Sequence, residues 1–148
     1  MKSRKLGFEI HTVDLLLKRN ADSSEEIRRN AALTGTHGYI LGYLAANRDR
    51  AVYQRDIERA FSIRRSSASQ VLQLMERNGL IERRSVDSDA RLKQICMTEK
   101  GNTIHEETIS AFRAIDNKAL LGIDPDEVQV FYRVMDGIKR NLNGKQES

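Results

Sequence analysis

Residues Ser62 to Gly79 read SIRRSSASQVLQLMERNG, and this stretch decides how the rest of the chain is read. Ala68, Val71, Leu72 and Met75 recur at the spacing of one helical stripe. Asn78-Gly79 ends the pattern, with glycine free to take the left-handed conformation that closes a helix. The side away from the stripe carries Arg64, Arg65, Ser66, Ser67, Ser69, Gln70 and Gln73, crowded towards the N-terminus. Small hydroxyl side chains let a helix lie close against a groove. Glutamine pairs bidentately with adenine and arginine with guanine. The free N–H groups and dipole of a helix start also favour a phosphate. The plain alternative is that the serines cap the helix and the glutamines are solvated.

On the N-terminal side, Val52 to Phe61 reads as a short helix with Ile57, Ala60 and Phe61 inward, joined by a tight connection at Ser62–Arg65. On the C-terminal side, LIERRS and RLKQICM read as strands around the polar turn VDSDA. Strand alternation puts Ile95 and Met97 on one side and Gln94 and Cys96 on the other. Two short helices, a tight turn and a hairpin make a winged helix-turn-helix. The hairpin carries Arg83, Arg84, Arg91 and Lys93. Arg91 stands just past the turn, where an arginine can enter a minor groove. Asp89 cannot favour DNA by its own charge. Its expected work is to bond the hairpin backbone or to hold Arg91 extended. The plain alternative is an ordinary charged hairpin tip.

Helices flank this block. Phe8 to Asn20 has a wide apolar face of Phe8, Val13, Leu15, Leu16 and Leu17, and ADSSEEIRRNAAL reads as a loop with a helical turn. LTGTHGYILGYLAANRD is a helix capped by Thr34 or Thr36, with Tyr39, Ile40, Tyr43 and Leu44 on its apolar side and Gly38 and Gly42 permitting close packing. Thr98 caps a long helix through Phe112, Ile115 and Ala119. Asp124, Pro125 and Glu127 make a capping box, after which Val128, Phe131, Met135, Ile138 and Leu142 step by three and four. The tail after Asn143 is expected to fray. These outer helices are apolar over more surface than the middle block can cover, which points to a second copy and a twofold dimer.

Composition agrees with a mainly α fold carrying a small β-hairpin wing. The 148 residues are 39% hydrophobic and 31% charged, which fits a single domain. The net charge is +4, and its placement is uneven. Arg48 to Lys93 holds 11 basic and 7 acidic residues, 10 of the basic ones arginine, whereas Gln94 to Ser148 holds 7 and 9. Arginine is the better fork for phosphate oxygens and guanine edges. No apolar run is long enough to span a membrane, acids interrupt the basic start, and one cysteine fits a reducing cytoplasm. His11, His37 and His105 fall on separate helices, with no i, i+4 pair and no Cys-x-x-Cys, so no metal site is expected. Cys96 reads as a partly buried strand residue. No Walker loop, dinucleotide fingerprint or nucleophile elbow is present, so neither a cofactor nor a catalytic residue is expected.

The residues together resemble the MarR family of bacterial transcriptional regulators over nearly the whole chain. LTGTHGYILGYL is similar to the family's Leu-Thr-x-x-Gln-x-x-x-Leu-x-x-Leu opening, with His37 in the glutamine place. SSASQVLQLMERNGLIERR resembles its recognition helix and Glu-x-x-Gly-Leu-Ile ending, Asp89-Ala90-Arg91 its Asp-x-Arg wing motif, and MTEKG its Leu-Thr-x-x-Gly. The resemblance implies one domain, with a winged unit over about 34–98 and dimerisation helices over about 5–32 and 99–143. It implies a cytoplasmic homodimeric repressor whose first and last helices interlock and whose two winged units read a palindromic double-stranded operator. Carried over by position, Ser66, Ser67, Ser69 and Gln70 are groove contacts and Arg91 is the wing arginine. Arg84, Asp89 and Lys93 complete the expected wing set. The resemblance also implies that a ligand or oxidant alters the spacing of the reading heads. His37, Tyr39 and Tyr43 are the candidates for contacting a small aromatic effector. Ala90 stands where many members carry arginine, and Ser62 where a glycine is frequent. Two rival readings remain at this point: a winged-helix protein-interaction module without DNA binding, and a small enzyme or metal-dependent sensor.

Overall fold

The computed structural model describes residues 3–30 and 35–144. Leu33, Thr34 and the tail beyond Gly144 lie outside them. Among the described residues the chain order is α1 (Leu6–Asp22), α2 (Glu25–Arg29), α3 (Thr36–Ala46), α4 (Gln54–Phe61), α5 (Arg65–Arg77), β1 (Ile81–Val86), β2 (Asp89–Met97), α6 (Glu99–Ala119) and α7 (Pro125–Leu142). The chain divides into two compact units, Met1–Ile115 and Asp116–Ser148.

The first unit is built around α3, α4, α5 and the hairpin. Its core gathers Ile40, Leu41 and Leu44 from α3, Val52, Ile57 from α4, Leu72 and Met75 from α5, Leu80 and Ile81, Ile95 from β2 and Ile104 from α6. The α5 stripe is as expected, with Ala68, Leu72 and Met75 buried and Val71 packed alongside. Two other faces differ. On α3 the buried residues are His37, Ile40, Leu41 and Leu44, while Tyr39 is exposed and Tyr43 only half-buried. The helix turns about 100° per residue, so Leu41, not Tyr39 or Tyr43, completes the face centred on Ile40 and Leu44. On α4, Ala60 is exposed. The inward place is taken by Val52, which precedes the helix as extended chain because its carbonyl accepts the Ile95 N–H at 2.8 Å.

The helix ends follow local chemistry. The α4 start is closed by the Asp56 carboxylate, which accepts the Tyr53 N–H at 2.8 Å. Its end is Ser62 in the left-handed region, at φ 52°. Thr36 is the first residue of α3 rather than its cap; Gly35 holds that position. The end of α5 is a Schellman motif. Gly79 at φ 72° donates to the Glu76 carbonyl at 3.0 Å, and Leu80 donates to that of Met75 at 2.9 Å. The start of α6 locks onto this turn. Thr98 Oγ1 accepts the Gly101 N–H and donates to the Gly79 carbonyl, and Lys100 Nζ donates to the Asn78 carbonyl at 2.8 Å.

β1 and β2 are antiparallel, paired from Ile81↔Met97 through Arg83↔Ile95 to Ser85↔Lys93. Beyond Ser85 the register slips and Val86 meets Asp89, leaving Ala90, Arg91 and Leu92 as surplus backbone in β2. Tyr53 bridges Gln94 on the free edge of β2.

α1 buries no residue and leaves Phe8 69% exposed, with Val13, Leu15 and Leu16 also in solvent. In the second unit, Asp124 caps α7 by accepting the Asp126 N–H at 2.7 Å, with Pro125 following. α7 also buries nothing: Phe131, Tyr132, Val134 and Leu142 are exposed, whereas Val128, Met135 and Ile138 are partly covered. The helix expected through Phe112, Ile115 and Ala119 is α6, whose last residue, Ala119, is exposed.

Candidate nucleic-acid interface

The N-terminal turn of α5 presents the residues singled out in the sequence. Arg64, Arg65, Ser66, Ser67, Gln70 and Gln73 are all exposed. They share that exposure because the buried Ala68, Leu72 and Met75 fix the rotation of the helix. Arg64 is the N-cap residue and makes no side-chain cap. The first-turn N–H groups, at Arg65, Ser66 and Ser67, therefore keep their outward dipole uncapped by the side chain that precedes them. The serines do not close this helix end in the way the plain alternative supposed.

Ser69 differs from its neighbours. It is half-buried, and its hydroxyl oxygen accepts from Gln54 Nε2 at 3.0 Å. The same amide reaches the Arg65 carbonyl at 3.4 Å. Gln54, the first residue of α4, thus holds the first turn of α5 from behind. Its role has no local signal in the sequence, since the partners stand 11 and 15 residues away.

In the wing, Asp89 Oδ1 accepts the Arg91 N–H at 2.9 Å, an Asx-type bond that shapes the backbone at the hairpin tip. Arg91 lies in the surplus segment of β2, and its side chain is exposed, as is that of Lys93. A bulge re-aims the side chains within it, so Arg91 is freed from the alternation that governs the paired rungs. Arg84 is exposed and ion-paired to Glu82, whose carboxylate raises the Arg84 pKa above its ordinary value. Its charge is therefore partly answered within the wing. Arg83 is the exception to the outward set. It pairs opposite Ile95 on the inner face and lies 3.4 Å from Glu76 Oε2 of α5. Alternation from the buried Ile81 signals that inward direction.

The three effector candidates differ in exposure and contacts. His37 is buried, at 5% exposure. Tyr39 is exposed and lies against Phe112, ring centroids 6.3 Å apart. The Tyr43 hydroxyl accepts from Arg50 Nη2 at 2.6 Å, and its ring meets Phe61 edge-on at 5.9 Å. Tyr43 thereby ties α3 to the approach to α4. Among the described residues no group of three or more His, Cys, Asp or Glu side chains is arranged to hold a metal ion. Cys96 is a free, half-buried thiol. His105 on α6 has its pKa pushed below the ordinary imidazole value, first by burial and then by Arg48 nearby. Among the described residues no helix is long and apolar enough to cross a membrane.

Residues 33–92, the span of α3 to the hairpin tip, match the family model described as MarR family. The chain is similar to the transcription regulator MarR from Oenococcus oeni, at 27% identity and a TM-score of 0.77, over 92% of this chain and 99% of that one. It also resembles the structure of the S. aureus MepR–DNA complex, at 22% identity and a TM-score of 0.81, over 94% and 99% of the two chains. The transcriptional regulator SlyA is similar at 20% identity and a TM-score of 0.78, over 95% of each chain.

Proposed function

We propose that the chain is a regulator of the MarR family, sequence-specific in its reading of double-stranded DNA and acting as a homodimer; the match of residues 33–92 to that family's model and the likeness to the Oenococcus oeni MarR support this. The observation that carries this reading is the pairing of two exposed surfaces: the uncapped first turn of α5 with its Arg, Ser and Gln side chains, and Arg91 in the wing with its backbone held by Asp89. In this reading α5 lies in a major groove. Ser66, Ser67, Gln70 and Gln73 meet base edges and phosphates, and Arg64 and Arg65 meet the backbone. Ser69 contributes its remaining hydroxyl capacity while anchored to Gln54. Arg91 enters the neighbouring minor groove, with Lys93 and Arg84 closing on phosphates.

The exposed apolar faces of α1 and of α7 are each surfaces that a second copy would cover, and a twofold dimer reads a palindrome. The whole chain serves as one regulator, with its winged unit over about 34–98 and its dimer-forming helices on either side. It acts in the cytoplasm as a repressor, by occupying promoter DNA, and it carries out no catalysis. A small aromatic effector that binds beside Tyr39 would release it. His37 and Tyr43, held within the fold, act in that event by shifting α3 rather than by touching the ligand.

The test is the Arg91→Ala variant. Its operator affinity falls by about 1–3 kcal/mol while the dimer persists. Unchanged affinity in a titration at fixed salt would remove the wing from the reading. Binding to duplex DNA that is absent, or insensitive to salt, would favour a protein-interaction module instead.

A further inference from the structure

Of the wing's four basic side chains, Arg84, Arg91 and Lys93 are exposed, and Arg83 is not. It is turned beneath the sheet towards Glu76, the next-to-last residue of α5. Its Nε lies 3.4 Å from Glu76 Oε2, in charge contact but off the line of a hydrogen bond. Both Nε and Nη2 are buried with no hydrogen-bond acceptor among the described residues. The side chain keeps 23% exposure, but taking two of its donors out of water unmet is costly, and an apolar side chain of similar volume would not incur that cost. The charge therefore does something that bulk alone does not. The rest of the wing's base is fixed to the core by Ile81 and Ile95, whose contacts are non-directional. A pair of opposite charges, one on β1 and one on α5, has a preferred distance. The partial negative charge at the end of α5 adds to the pull on Arg83.

We propose that Arg83 and Glu76 are positioning residues that set the angle of the wing against the reading helix, and so govern how fully Arg91 reaches DNA. This rests on the DNA-binding reading. The probe is the duplex that wild-type protein enriches from a random-sequence pool, with affinity measured by fluorescence anisotropy at fixed salt. In the wild type, Arg91→Ala weakens binding by about tenfold. In an Arg83→Met or Glu76→Gln background the same change costs less than about threefold, because the arginine is already misplaced. Gln73→Ala keeps its full effect in both backgrounds, since α5 itself is not disturbed. Arg83→Lys, which retains the charge, restores most of the Arg91 effect. Glu76 is a partly exposed helix residue, so Glu76→Gln decides the matter if Arg83→Met fails to fold. A full Arg91→Ala effect in these backgrounds overturns the proposal, as does an equal loss of the Gln73→Ala effect. A wild-type protein that enriches no duplex overturns the DNA-binding reading and this proposal together.

Discussion

Gly101 offers a sharp test of how the reading helix is held. It sits in the first turn of α6, against the turn that follows α5. A Cβ built there falls on the Leu80 carbonyl oxygen, closer than any real contact, and comes within 3.1 Å of the Leu80 carbonyl carbon and 3.0 Å of Met97 Cγ. Met97 can rotate away, but the Leu80 carbonyl cannot easily do so. It accepts the Thr98 N–H at 3.1 Å, and the adjacent Gly79 carbonyl accepts the Thr98 hydroxyl. Gly101→Ala must therefore push α6 from α5 or break that bond. Overpacking of this kind costs about 1–3 kcal/mol, and a lost hydrogen bond about 0.5–1.5 kcal/mol. Alanine recovers up to about 1 kcal/mol of helix propensity. The net expectation is a loss of roughly 1–3 kcal/mol, read by urea unfolding at matched protein concentration, because the stability of the proposed dimer would depend on concentration. Gly42→Ala is the control. A Cβ at Gly42 meets nothing within 4 Å, so the close packing expected of that glycine is not made among the described residues. The control gains about 0.5–1 kcal/mol. Equal or greater stability for Gly101→Ala would refute the account of this turn.

Other outcomes follow from the same geometry. Gln54→Ala removes the bonds to Ser69 and Arg65, so hydrogen exchange quickens at the Ala68 amide, which donates to the Arg64 carbonyl at 2.9 Å, and stability falls by about 0.5–1.5 kcal/mol; unaltered exchange there would mean that α4 does not hold the start of α5. Gln70→Ala shifts sequence preference more than total affinity, which parallel titrations of an enriched and a random duplex would reveal. His105 binds its proton less readily in the folded chain than in the unfolded one, because burial and Arg48 oppose the charge. The stability it contributes is fully present above the unfolded value near 6.5 and is lost as the pH falls through the lower folded value. Unfolding measured across that window shows a pH slope that flattens in His105→Gln, and an identical slope would clear His105 of the effect.

Where a feature is local, it is legible in the residues. The Ala68–Leu72–Met75 stripe, the left-handed Gly79 and the Asp124-Pro125 start each arise from neighbours within a turn, and each stands where the pattern puts it. The two-helix-and-hairpin order follows from the same patterns. The misreadings have physical reasons. Tyr39 and Tyr43 look like core residues by type, yet the α3 face is set by Leu41 and by a buried His37, which no periodicity of apolar residues reveals. Thr36 looks like a cap, but the helix begins on it. The Gln54–Ser69 bond and the slip of register at Ser85 depend on segments meeting in space, and neither leaves a trace in adjacent residues. In the proposed DNA-facing set, the exposure of Arg64, Arg65, Ser66, Ser67, Gln70 and Gln73 is legible from the stripe opposite them. The anchoring that orients them is not.

The slip at the hairpin tip has a consequence for how such arms vary in length. One residue added between Arg91 and Lys93 joins backbone that is already without a rung, and the pairs from Ser85↔Lys93 downward keep their faces. One residue added between Lys93 and Ile95 either turns Ile95 out of the core or reverses the sides of everything between it and the tip. The arm can thus be lengthened or shortened at its far end without disturbing its root, while the root itself admits no such change.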